Sequence, residues 1–228
     1  MLVWPLILDL RRRLRLRKAP AGPLRDYLAV EFPKPSRDYR SVDYLAVDLE
    51  TTGLDPRRDG ILSVGYVAVH GNRIDLGNAS HRLVLANRAI PEASAIIHQI
   101  TDDQAALGEP LRTVLEDLLG DLAGKVMIAH HAAVERAFLD VACRHLFGAG
   151  LLMPIIDTQA LAQRTFERRH VTYKGSDLRL HALGERYNLP RYGAHNALSD
   201  ALAAAELFLA QAAYRESGRG AALREFLC

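Results

Sequence analysis

Two acids stand two residues apart in the stretch Tyr44-Leu45-Ala46-Val47-Asp48-Leu49-Glu50-Thr51-Thr52-Gly53-Leu54. Apolar, β-compatible residues closed by a Thr-Thr-Gly turn read as a buried strand. Alternate residues of a strand share a face, so Asp48 and Glu50 point the same way. Adjacent carboxylates repel each other and resist desolvation, so burying them calls for a cation. Magnesium and manganese, which favour oxygen ligands, suit that role. A solvated acidic strand end is the plain alternative.

Further polar groups sit where such a site would need them. In Ala129-His130-His131-Ala132-Ala133-Val134-Glu135-Arg136-Ala137-Phe138-Leu139 a strand runs into a helix. Glu135 falls in the first turns, where the helix dipole tolerates a carboxylate, and Phe138 and Leu139 would pin that turn to the core. Taken alone, Glu135 reads first as the partner of a surface arginine. In His195-Asn196-Ala197-Leu198-Ser199-Asp200, His195 lies in the loop that enters the last helix, and Asp200 lies early in that helix. Asp200, Ala203 and Ala204 form a small-residue face that permits close approach. His98, between two short helices, is either structural or a substrate contact.

Strands are expected at 44–50, 61–70 and 73–76, with 81–85 extending the third or standing apart, and again at 125–129 and 151–156. Helices are expected at 91–98, 101–107, 111–122, 132–147, 158–168, 178–187 and 197–215, the second opened by a Thr101/Gln104 capping box. Three early strands followed by alternating helix and strand imply a mixed sheet flanked by helices.

The chain's 228 residues, 49% hydrophobic and 25% charged, are those of a soluble globular protein. Cys143 and Cys228 are too few and too far apart for a disulfide framework or a thiolate metal site, which fits a reducing, cytoplasmic setting. The net charge of +2 is unevenly spread: residues 1–40 hold ten Lys/Arg against four Asp/Glu, leaving nineteen against twenty-three in the remainder. An acidic body with a basic arm suits nucleic acid, though the asymmetry alone is weak support. Residues 1–10 are apolar and precede the cations of 11–18, the reverse of a secretory signal, and are too short to span a bilayer. Leu2, Leu6, Leu10 and Leu14 follow one helical face. That helix either lies on the main body, touches phosphates or binds a partner. Pro20, Gly22, Pro23, Pro33 and Pro35 mark a connector. The organisation expected is a basic arm and connector at 1–40, one α/β domain at 41–216 and a tail at 217–228.

The three motifs resemble those of the DEDDh 3′–5′ exonucleases, the DnaQ-like family of the proofreading epsilon subunit of bacterial DNA polymerase III, RNase T and oligoribonuclease. The first, D-x-E-T-T-G, spans Asp48 to Gly53; the second spans His130 to Leu139; the third, H-x-A-x-x-D, spans His195 to Asp200. Their order and spacing match, and the resemblance covers about Asp43 to Arg215. His131, Val134 and Glu135 stand where the family pattern has Asn, Phe and Asp. Asp140, five helical residues on, is the rival for the third acid.

The resemblance implies an RNase H-like fold: a mixed β-sheet, its first three strands antiparallel, flanked by α-helices. It also implies phosphodiester hydrolysis from the 3′ end of DNA or RNA, releasing nucleoside 5′-monophosphates with two Mg2+ or Mn2+ ions. Asp48 would be shared by both ions, Glu50 and Asp200 would serve mainly the water-activating one, and Glu135 would act through an intervening water. His195 would be the general base. Thr51 would offer its amide to the terminal 3′-hydroxyl, Leu54 would wedge beside the terminal base, and His98 would contact the terminal nucleotide. The implied partner is a single-stranded 3′ end; residues 1–40 have no counterpart in the resemblance, and their helix is the expected contact for a polymerase or other protein. The alternative is a catalytically weak polymerase-associated or nucleic-acid-binding module of the same fold. Arg164, Arg168, Arg169, Lys174 and Arg179 form either a phosphate track or a solvated helix end.

Overall fold

Alternation along one central strand sorts the molecule into two layers. Strand β1 (Asp43–Thr51) sits in the middle of a five-stranded sheet with β2 (Ile61–His70), β3 (Arg73–Leu83), β4 (Val126–Ala129) and β5 (Ile155–Asp157), in the order β3-β2-β1-β4-β5. Pairing is antiparallel for β1–β2 and β2–β3 and parallel for β1–β4 and β4–β5. The computed structural model describes residues 3–86, 90–193, 195–215 and 220–228. The boundary expected between 216 and 217 lies outside them, as does Leu2.

Leu45, Val47 and Leu49 face a core shared with α2 (Pro23–Ala29), α5 (Leu111–Leu122) and α6 (Ala133–Phe147), through Leu24, Leu28, Leu115, Leu119, Phe138 and Leu139. Tyr44 and Ala46 face the opposite core, built on α9 (Ala197–Arg215), where the Tyr44 and Phe208 rings lie 5.1 Å apart. Asp48 and Glu50 continue the Tyr44–Ala46 series, so alternation turns both toward the α9 layer. Helices α3 (Glu92–His98) and α4 (Asp102–Ala106) follow β3, while α7 (Thr158–Arg168) and α8 (Leu180–Arg186) lead from β5 to α9. The Thr101/Gln104 capping box is present at α4.

Helix α1 (Val3–Lys18) lies on the main body, but not by the leucine face expected of it. Leu10 and Leu14 are exposed. The contact runs through Arg12, buried against Phe32 and donating to the Leu28 carbonyl at 2.6 Å, and through Arg15, which donates to the carbonyls of Gly150 and Leu151 at 2.9 Å each. Arginine stems cover apolar surface while their guanidiniums find carbonyls, so a basic face can dock a helix. Within the expected connector, α2 forms with Pro23 at its start and Leu24, Tyr27 and Leu28 buried. Dense Pro/Gly punctuation hides that spacing, although proline is at home in a first helical turn. Strand β3 runs unbroken to Leu83, joining the segments at 73–76 and 81–85. Strand β5 is shorter than 151–156, because Pro154 has no N–H for the ladder; its carbonyl instead accepts from Met127 at 3.0 Å.

One close approach governs the site. Gly65 pairs with Asp48 across β1–β2. A Cβ at Gly65 would stand 2.1 Å from backbone atoms of Ala197 and Leu198, so the first turn of α9 rests directly on the strand. Gly65→Ala is expected to force that turn outward. In urea unfolding the variant should lose about 1–3 kcal/mol, the usual scale of overpacking; wild-type stability would show that α9 can yield.

Candidate active site

Asp48 and Glu50 from β1 and Asp200 from α9 converge, each offering a carboxylate oxygen within 4.8 Å of the others. Glu135 stands beside this trio in the first turn of α6 and is only 4% exposed. Its register is held by Phe138 and Leu139, both buried in the core below. Asp140 takes no part: it accepts from Arg144 at 2.8 Å on the outer side of α6. A β-bulge between Glu50 and Thr51 ends the regular pairing beside the site.

The electrostatics are those of crowded, poorly hydrated anions. Asp48 keeps some accessible surface, yet desolvation is the largest influence pushing its pKa well above the usual carboxylate value, followed by the charges of Glu135, Glu50 and Asp200. Burial raises Glu135 to about 8, against the pull of its own backbone N–H and helped by Asp157 and Glu50. Asp200 is also raised, again first by burial. None of these acids forms a salt bridge with Lys or Arg among the described residues. Glu50 Oε1 and Glu135 Oε2 are buried with no hydrogen-bond partner there. Carboxylates converging from three elements, with a buried oxygen of Glu50 and one of Glu135 left unpaired, fit a divalent cation.

Two histidines sit over the acids. His98, the last residue of α3, brings Nδ1 against Glu50 Oε2. Its ring lies 6.0 Å from that of His195. Ser94 of α3 donates to the Thr51 carbonyl at 3.0 Å, which fastens this helix to the end of β1. His195 is exposed and adopts φ 66°, the left-handed region unusual for a residue with a side chain. Its N–H donates to Asp200 Oδ2 at 2.9 Å, while Asn196 Oδ1 accepts from Ser199 N at 3.1 Å. The acid and its neighbouring histidine are thus positioned by one cap. Leu54 is 84% exposed on the loop after β1, and the buried Thr51 donates its hydroxyl to the Gly53 carbonyl.

The second motif's histidines are structural. His130 lies between the Thr158 hydroxyl, 2.8 Å from Nδ1, and the Leu178 carbonyl, 2.9 Å from Nε2, and burial lowers it to about 4, so it is neutral. His131 takes φ 62° and contacts Gln159 Oε1. A residue that sequence reasoning passed over organises this corner. The Asp157 carboxylate accepts from the backbone N–H groups of His131, Ala132, Gln159 and Ala160, capping α7 while turning the chain into α6. An aspartate immediately ahead of helical spacing was the available signal. Two of the arginines after β5, Arg164 and Arg168, lie by the last turn of α9. Arg164 donates to the carbonyls of Phe226 and Leu227, and the pKa of Arg215, in the last turn of α9, is lowered first by burial and then by the nearby charges of Arg168 and Arg164. That turn is roughly 22 Å along the helix from Asp200, at 1.5 Å per residue.

Residues 45–208 match the RNase T family model, described as an exonuclease. The chain belongs to this exonuclease family. It is 30% identical to the DNA polymerase III subunit epsilon of Treponema pallidum, over 80% of this chain and 82% of that one. It is 31% identical over 166 residues to the PolC-type DNA polymerase III of Thermotoga maritima, covering 73% of this chain but only 12% of that protein's length. Among solved structures, exonuclease X in complex with 5′-overhanging duplex DNA superposes with a TM-score of 0.57 at 25% identity, covering 75% of this chain and 92% of that one. The nuclease domain of 3′hExo, a DEDDh family member bound to rAMP, gives a TM-score of 0.64 at 15% identity, over 81% and 98%, a likeness of fold.

Raised carboxyl pKa values set a sign. Protons bound by the folded but not the unfolded chain stabilise below the unfolded value and are lost as pH climbs through the folded one; for Glu135 the window runs from 4.5 to about 8. The melting temperature in EDTA should therefore fall across that window, and added manganese should raise it more at alkaline than at acidic pH. A manganese shift independent of pH would mean the acids do not bind the ion.

Proposed function

We propose that this chain hydrolyses phosphodiester bonds stepwise from the 3′ end of a nucleic-acid strand, releasing nucleoside 5′-monophosphates. The observation that carries the reading is the meeting of Asp48, Glu50 and Asp200 oxygens within 4.8 Å, beside a raised Glu135 and under His195. Asp48, Glu50, Asp200 and Glu135 would hold two divalent ions, Mg2+ or Mn2+. Such ions, when bound, neutralise charge on the phosphate and acidify the attacking water.

The remaining work falls to protein groups. His195, exposed and tethered by its own N–H to Asp200, is the proposed general base that takes the proton from water; imidazole is the side chain best suited to that exchange near neutral pH. Glu135 stands where the family pattern has aspartate; it keeps the charge with one more methylene, and its proposed role is to act through an intervening water. Thr51 is the proposed contact for the terminal 3′-hydroxyl. Leu54, projecting from a loop whose base is tied by Thr52 N–H to the Gly60 carbonyl, is the proposed wedge against the terminal base. His98, resting on Glu50, is the proposed contact for the terminal nucleotide. The relative named as a DNA polymerase III subunit epsilon supports a role on DNA beside a polymerase; the cytoplasm is the proposed location, and residues 1–40 are the proposed contact for a protein partner. No described helix is long and apolar enough to cross a membrane.

A 5′-labelled oligonucleotide incubated with manganese should shorten one nucleotide at a time from its 3′ end. Asp48→Ala should abolish shortening. His195→Ala should slow it by about 10²–10⁴-fold, the usual contribution of a general base, while preserving the manganese-induced rise in melting temperature. Internal cuts, or an active Asp48→Ala enzyme, would falsify this assignment. Glu135→Ala is expected to be severely impaired and Asp140→Ala close to wild type in the same ladder; the reverse ranking would transfer the third acid to Asp140.

A further inference from the structure

A groove of about 650 Å3 runs between α1, the outer face of α6 and the segment before β5. Its walls carry four arginines, Arg11, Arg15, Arg136 and Arg144, against two aspartates, Asp140 and Asp157. Arg144 is paired with Asp140, and the Asp157 oxygens are occupied by four backbone N–H groups. Arg15 is fixed by two carbonyls, which hold its guanidinium without cancelling its charge. Arg11 and Arg136 are exposed and form no salt bridge among the described residues. Arg15 has its pKa lowered, first by burial and then, against the pull of Asp140, by the nearby charges of Arg144 and Arg11. Like charges crowded this way are relieved by an anion.

The groove begins at Ala132 and Ala133, where α6 starts, and Arg136 follows Glu135 directly in sequence. From Ala132 to Arg144 the helix spans roughly 18 Å, room for a few backbone phosphates. A polyanion faces a difficulty at the acids themselves, because the body beyond residue 40 holds nineteen Lys/Arg against twenty-three Asp/Glu. Six Lys/Arg stand in α1 between Arg11 and Lys18, and α6 adds Arg136 and Arg144 on the groove wall. Guanidinium groups bind phosphate in bidentate fashion.

We propose that α1 and α6 together form a phosphate track that holds a single strand upstream of its 3′ end, Arg11 and Arg136 meeting its phosphates. The identity of the strand as substrate rests on the hydrolytic reading; the track itself does not. The test is the double variant Arg11→Gln/Arg136→Gln, with Arg11→Glu/Arg136→Glu as a stronger second. Both positions are exposed and outside the docking contacts of α1, so melting temperatures should match wild type. Binding of fluorescein-labelled dT20 and U20 is followed by anisotropy in EDTA across a salt series. On both probes the glutamine variant should show a slope of log K against log salt shallower by about 1.4, near 0.7 for each of two lost single-strand phosphate contacts. Cleavage of a dinucleotide, too short to reach the groove, should stay within twofold of wild type. An unchanged slope overturns the track, including the case in which the groove seats a protein instead; so does an equal loss on the dinucleotide. A wild-type protein that cuts no oligonucleotide would defeat the hydrolytic reading while the binding slopes still decide the groove.

Discussion

Mutual repulsion among carboxylates gathered at one end of the sheet is the constraint that everything else answers to. Asp48 feels Glu135, Glu50 and Asp200 at once, in surroundings that have stripped most of its hydration. Left to themselves, such groups would part or take up protons. They stay together because the elements bearing them are locked by contacts that do not involve the acids' charge: the α9 backbone seated on Gly65, Phe138 and Leu139 sunk beneath α6, and β1 central to the sheet. The scaffold thus holds an arrangement that its own electrostatics oppose, which is the condition under which a divalent cation is bound with most advantage.

The supporting polar groups share one logic. Asp157 ties the start of α6 to the start of α7, His130 joins Thr158 to the Leu178 carbonyl, and Asp200 reaches back to the N–H of His195. Each satisfies backbone or buried groups at a helix end, where donors are in surplus. Each also fixes the azimuth of a neighbouring helix, and so the direction in which Glu135, Asp200 or His195 presents itself. Capping and site-building are one operation in this corner of the fold.

Charge is partitioned with comparable economy. The acids are held inside the α9 layer, while arginines line the outside of α6 and the underside of α1. The docking of α1 through Arg12 and Arg15 brings that basic surface to a domain whose remaining residues are net acidic. Leu10 and Leu14 are left facing solvent as a consequence.

Local patterns in the sequence already determine a good deal. Period-two alternation puts Asp48 and Glu50 on one face, apolar spacing marks α5, α7 and α9 to the residue, and the Thr101/Gln104 pair announces the start of α4. These follow from neighbours within a few positions, and the three motifs in order point to the mixed sheet. Other features depend on residues far apart in the chain and were decided only by packing. Gly65 is an unremarkable strand residue until α9 is laid across it. Between Glu135 and Asp140 the Phe138–Leu139 register already favours Glu135, but it is packing that sinks those two side chains, leaves Asp140 to Arg144 and brings Glu135 beside Asp48. His98 becomes a neighbour of Glu50 only when Ser94 fastens α3 to the Thr51 carbonyl. The face by which α1 docks is set by carbonyls at Leu28, Gly150 and Leu151, which no periodicity within α1 can reveal. Short-range chemistry names the elements and their faces; long-range packing decides which faces meet, because a side chain's partner across the fold leaves no trace in its own neighbourhood.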